Sequence, residues 1–199
     1  MLLISPVLPQ KWACAMTLDL PSQVAKDSEV VKGSAVVKET GEYVPVRSVL
    51  FVCTGNTCRS PLAEVLFKKI LSDRLGIPID HLPAHGYLVQ SAGVMAGYGD
   101  AASEGAVDVA REYGIDLSNH RSRPVNPEML ADAKSVIAMT QSHLTLLMMQ
   151  YPDVGTVPTL LSDEIDIPDP IGGSIEDYRE CARVIVAQLD RLSKEWLAT

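Results

Sequence analysis

No apolar run in this chain is long enough to span a bilayer, which takes about 20 residues. The spacings of cysteine and histidine that hold metals are missing as well, and the four histidines are scattered, so neither metal nor cofactor is expected. Four cysteines without regular spacing build no disulfide framework. Basic residues are in deficit: 17 Lys and Arg against 25 Asp and Glu leave a formal charge of −8. That sign excludes nucleic acid and anionic membrane as expected partners. A length of 199 residues leaves room for one domain and a small addition.

The addition is the first 46 residues. Met1 to Leu8 is apolar, but it is short, interrupted by proline and without a positive lead, so a secretory leader is not expected despite Ala13-Cys14-Ala15. From Gln23 to Glu42, valine alternates with Lys, Glu, Ser and Gly, the pattern of either a solvated linker or one loose hairpin. Residues 1–46 are therefore set apart as an extension or linker, partly disordered, and 47–199 as the folded domain.

From Arg47 onward strand and helix patterns alternate. Strands are expected at Ser48–Val52, Tyr87–Ser91, Ser135–Met139 and, weakly, Val157–Leu160. Helices are expected at Pro61–Leu75, Asp100–Tyr113, Pro127–Ala131 and Gln141–Tyr151. A final helix begins at Ser174, with Asp177 three residues on as a capping box. Its Ile175, Tyr178, Ala182, Ile185, Leu189, Leu192 and Trp196 fall on one face. Alternation of this kind implies α/β architecture, a parallel sheet covered on both sides. Ligands bind such sheets along the edge where the strands end.

Cys53-Thr-Gly-Asn-Thr-Cys-Arg59-Ser-Pro lies on that edge, directly after the first strand. A tight loop between a strand and a helix N-terminus is an anion site. The small residues Thr54, Gly55, Asn56 and Thr57 let the backbone curl with its N–H groups inward as a nest. An ordinary thiol is only a few per cent thiolate at neutral pH. Here the helix dipole, the loop amides, the Ser60 hydroxyl and Arg59 all favour the anion. The same donors suit three phosphoryl oxygens, two of them held bidentately by Arg59, while Cys53 attacks phosphorus. Asp169, Asp163, Glu164 and Asp166 are candidate acids downstream, and only Asp169 is followed by proline.

The run from Cys53 to Glu64, with Asp169-Pro170 and Gly172-Gly173-Ser174 near the C-terminus, resembles the low-molecular-weight protein tyrosine phosphatase family over residues 47 to about 197. The resemblance implies a flavodoxin-like, doubly wound sheet of about four parallel strands. It also implies catalysis through a phosphocysteine on Cys53, with Arg59 binding phosphate and Asp169 as general acid and then base. Asn56, Ser60, Ser91 and His120 match the family's supporting hydrogen-bond network. Cys58 matches a cysteine that can bond to the nucleophile under oxidation.

Within the family the loop looks most like the bacterial protein-arginine phosphatases, which carry threonine where Thr57 stands; tyrosine-specific members usually have a bulky aliphatic residue there. Ile171 sits where arginine-phosphatase relatives often have phenylalanine, and an aliphatic wall can still pack on a guanidinium. Thr54, Gly55, Asn56, Thr57, Cys58, Ser60 and Ile171 are thus the expected substrate-binding set. The expected substrate is phosphoarginine in a protein, with phosphotyrosine as the alternative. A monomer in the cytoplasm is expected, since a catalytic thiolate needs a reducing compartment. Arsenate reduction would need two further cysteines, and none lies between Cys58 and Cys181. A non-catalytic phosphate-binding module would not need all three catalytic positions. Cys181 is expected in the core, and Cys14 has no evident role.

Overall fold

The computed structural model describes residues 35–37, 43–153 and 155–198. The N-terminal apolar stretch, Cys14 and most of the segment 23–42 lie outside the described residues. The described residues in and beside that segment form a short antiparallel pair, β1 (Ala35–Val37) with β2 (Tyr43–Pro45). It forms a two-stranded sheet separate from the main one.

Seven residues of β3 (Arg47–Cys53) then start the main sheet. Their near-continuous apolar character is what a parallel strand buried on both faces needs. β4 (Tyr87–Gly93) pairs parallel along one side of β3, and β5 (Ser135–Ala138) along the other. β6 (Thr159–Leu160) adds beyond β5, giving the order β4-β3-β5-β6. This is the small doubly wound α/β sheet expected, with four parallel strands.

Period-2 alternation divides the core. Val49, Phe51 and Cys53 face α1 (Arg59–Leu75), α2 (Glu104–Glu112) and α5 (Ile175–Leu197); Leu50 and Val52 face α3 (Pro127–Asp132) and α4 (Gln141–Gln150). On the first side Phe67 stands edge-on to both Phe51 and Trp196, with centroids 5.8 and 5.1 Å apart. Cys181 is wholly buried here, and burial pushes its thiol up to about 12, so it is inert as a nucleophile.

Most boundaries shift by one or two residues from the sequence expectation, and three of the differences bear on the site. Helix α1 starts at Arg59 rather than Pro61, because Pro61 tolerates any position of the first turn and marks no unique start. Helix α2 starts at Glu104 rather than Asp100, since Asp100–Ser103 is spent on the bonds of Asp100 with Ser122 and of Ser103 N–H with the Thr57 carbonyl. Strand β4 runs on to Gly93, carrying Ser91 and Gly93 beneath the loop that follows β3.

Winding passes from β3 to β4 on one side and then to β5 on the other. The reversal opens a crevice between the ends of β3 and β5, the switch point where such sheets take ligands.

Candidate active site

Cys53 is the last residue of β3, and Arg59 is the first of α1. Five residues join them, and the carbonyls of Cys53, Thr54, Asn56 and Thr57 are tied to the scaffold. Val94 N–H donates to the Cys53 carbonyl at 2.9 Å, Met95 N–H to Thr54 at 3.0 Å and Ser103 N–H to Thr57 at 2.9 Å. His120 Nε2 donates to the Asn56 carbonyl at 2.7 Å. In a trans peptide the next residue's N–H points opposite to the carbonyl. The amides of Thr54, Gly55, Thr57 and Cys58 are therefore turned away from the scaffold, as a nest requires.

Two positions permit this path. Asn56 adopts φ of 54°, left-handed backbone that asparagine tolerates better than most residues. Gly93 passes directly under the loop; a Cβ there would lie 2.4 Å from the Thr54 carbonyl oxygen and 2.9 Å from the Asn56 nitrogen.

Asn56 also organises the interior. Its Nδ2 donates to Ser60 Oγ at 3.0 Å and Ser91 Oγ at 2.9 Å, and its Oδ1 accepts from Arg123 N–H at 3.1 Å. Ser91 passes its own proton to Glu64 Oε2 at 2.6 Å. Ser60 Oγ lies 3.0 Å from Cys53 Sγ and 3.3 Å from the Ala92 carbonyl. Once the thiol loses its proton, the Ser60 hydroxyl can turn from that carbonyl to the sulfur. The four residues matched to the supporting network, Asn56, Ser60, Ser91 and His120, are thus joined in one hydrogen-bonded group.

Arg59 is almost fully buried. One terminal nitrogen donates to Asp169 Oδ2 at 2.6 Å and the other to the Ile167 carbonyl at 3.4 Å. Its Nε is buried with no hydrogen-bond partner among the described residues. A buried guanidinium N–H left unpaired is costly, and a phosphoryl oxygen in the cradle would supply its acceptor. Asp169 is half-exposed, and its other oxygen accepts the Ile171 N–H at 3.3 Å, turning the chain sharply after Pro170. Ile171 itself is 64% exposed. Ser174 donates its N–H and its hydroxyl to Asp177, the capping pattern read from the sequence, so α5 starts directly after this turn.

Of the other candidate acids, Asp166 accepts the Gln141 N–H at the start of α4 at 2.8 Å and is spent as a cap. Thr57 Oγ1 lies 3.6 Å from Cys58 Sγ. The Cys58 thiol, buried, donates to Ser103 Oγ at 3.2 Å and lies 3.7 Å from the Tyr178 hydroxyl.

Several contributors were not singled out from the sequence: Glu64, Ser103, Arg123 and His143. His143 had a usable signal, since it stands on the helix after β5, at the ligand edge of the sheet. Its Nε2 lies 2.8 Å from Thr54 Oγ1, and its Nδ1 lies 2.8 Å from Thr140 Oγ1. Burial, reinforced by the positive charge of Arg59 and opposed by Asp169 and Asp166, depresses its pKa to about 4. Between about pH 6.5 and about 4 the unfolded chain binds a proton that the folded one refuses, so stability falls as pH drops through that window. The loss is about 3 kcal/mol when complete. Wild type should therefore lose that much stability relative to His143→Gln when unfolding is compared at pH 7 and pH 4. A pH-independent difference would refute the burial argument.

The chain belongs to the low molecular weight phosphotyrosine protein phosphatase family, whose pattern matches residues 48–198. It is accordingly a cysteine-dependent protein phosphatase, a hydrolase of phosphoric esters or phosphoramidates. It is similar to the protein-arginine-phosphatase of Bacillus subtilis, 36% identical over 152 residues that cover 74% of this chain and 95% of that protein. It is also similar to the low molecular weight protein-tyrosine-phosphatase Etp of Escherichia coli, 32% identical over 75% of this chain and 91% of the relative. Among solved structures, a low molecular weight protein tyrosine phosphatase from T. tengcongensis superposes with a TM-score of 0.67 at 39% identity, over 75% of this chain and 99% of the other. No helix among the described residues is long and apolar enough to cross a membrane.

Proposed function

We propose that this protein hydrolyses phosphoarginine in proteins through a phosphocysteine on Cys53. The phosphatase unit is residues 47–199, with 1–46 as an extension to it. Cys53 attacks phosphorus in line as the P–N bond breaks, and its electron pair stays on the departing guanidine nitrogen, which takes a proton from Asp169. The loop amides and Arg59 hold the three equatorial oxygens through this step. Asp169, now a carboxylate, removes a proton from water; the oxygen attacks phosphorus, the S–P bond breaks and the thiolate is restored.

Arg59 holds Asp169. An entering phosphoryl group competes for the guanidinium and frees the carboxylate for proton transfer. The same carboxylate, already bonded to one guanidinium, has the geometry to receive another from the substrate.

The observation that carries the arginine reading is Thr57, a small hydroxyl residue in the cradle wall where tyrosine-specific relatives have a bulky aliphatic one. The similarity to a protein-arginine-phosphatase supports it. A tyrosine phosphatase is the second reading, favoured by the similarity to the tyrosine phosphatase structure. Purified protein assayed on matched phosphoarginine and phosphotyrosine peptides separates them, with kcat/KM expected to favour phosphoarginine. Thr57→Ile should shift that ratio toward phosphotyrosine by about tenfold, the scale of one hydrophobic pocket contact. An unchanged ratio would remove Thr57 from the argument.

A further inference from the structure

Helix α4 begins where β5 ends, across the crevice from the loop that follows β3. Backbone joins the two margins, since Met139 N–H donates to the Val52 carbonyl at 3.0 Å. Thr140 then caps α4, and His143 stands one turn in, buried at 4% exposure. The cap does not need the ring: Thr140 Oγ1 already receives the His143 amide at 3.3 Å, and Asp166 takes the Gln141 amide. The imidazole lies buried between two threonine hydroxyls, one on each side of the crevice.

We infer that His143 is a positioning residue for the reaction, its Nε2–H fixing the side chain of Thr54, the residue next to the nucleophile. The ring is neutral at physiological pH and carries one N–H. The inferred tautomer carries it on Nε2, which donates to Thr54 Oγ1, while the Thr140 hydroxyl, whose oxygen accepts the His143 amide, gives its proton to Nδ1. Thr54 is exposed at the lip of the cradle, and its hydrogen bond with His143 ties its side chain to α4. Anchored through Oγ1, it keeps its own hydroxyl proton for the substrate, and its amide stays aimed at the phosphoryl group. Misaligning a cradle donor weakens the transition state more than the ground state, so kcat should fall more than KM rises.

The inference rests on the reading that the Cys53 loop is the reactive centre. The test uses the full chain and 4-nitrophenyl phosphate, with five variants. Gln places an amide nitrogen near the position of Nε2, whereas Asn reaches only the position of Nδ1. His143→Asn should therefore lower kcat about tenfold with little change in KM, and His143→Gln should restore most of it. In a Thr54→Val background, His143→Asn should cost nothing more, because the side chain it anchors has lost its acceptor. If His143 serves only helix α4, Asn restores and Gln does not, or the Asn and Val losses multiply; either result overturns the inference. Cys53→Ser separates the two levels. Retained turnover in that variant would bring down the reading of the loop itself. Its loss, with wild-type kcat in His143→Asn, would bring down the positioning role alone.

Discussion

Cys53→Ser is expected to abolish turnover, lowering kcat by at least about 10⁴-fold, while leaving phosphate binding nearly intact. The asymmetry follows from what surrounds the sulfur. The groups around it can donate: the Ser60 hydroxyl, 3.0 Å away, once it turns from the Ala92 carbonyl, the loop amides and the N-terminal end of α1. Donors stabilise a nucleophile that is already an anion, and a thiol ionises readily enough to use them. A serine hydroxyl needs a base to remove its proton, and the cradle provides none. The anion-binding parts, Arg59 and the amides turned from the scaffold, do not depend on the sulfur. Initial rates with 4-nitrophenyl phosphate, together with calorimetric titration of inorganic phosphate, check both halves. Turnover within tenfold of wild type would mean that the reaction does not pass through a bond to sulfur.

The part of the site that could be read from sequence is the part that is local. Cys53 and Arg59 are held by one loop, and the strand before it and Ser-Pro after it set its geometry. Asp169 was marked by Pro170, and the start of α5 by Ser174 and Asp177. Ser91 and His120 were reachable only through resemblance, because a serine in a Ser-Ala-Gly turn and an isolated histidine carry no chemical signature of their own. Both meet the loop through Asn56, at separations of 35 and 64 residues. Glu64 and His143 were missed for the same reason: their partners, Ser91 and Thr54, lie 27 and 89 residues away. Glu64 on α1 reads as a solvent-facing charge, and only the approach of β4 gives it an internal partner. The fold was legible because period-2 and helical spacings are written residue by residue. Helix ends were less so, since proline in a first turn leaves the start open by two residues.

Asp169→Ala should separate the two half-reactions through the leaving group. With a phosphoarginine peptide, the guanidine nitrogen must be protonated as it departs, and loss of the acid should lower kcat by about 10²–10⁴-fold with no intermediate accumulating. With 4-nitrophenyl phosphate the leaving group departs as a stable anion, so phosphorylation of Cys53 proceeds without help. Hydrolysis of the phosphocysteine still needs a base, so the variant should show a burst of nitrophenolate followed by slow turnover. Acid-quenched protein from that phase should carry one phosphoryl group, absent from Cys53→Ser/Asp169→Ala. The Arg59 contact adds a second signature. Removing the carboxylate frees a buried guanidinium that it now occupies, so inorganic phosphate should bind Asp169→Ala more tightly than wild type. Equal losses on both substrates without a burst would point to a structural defect in the turn after Ile167. A burst without tighter phosphate binding would show that the Arg59–Asp169 pair does not compete with substrate.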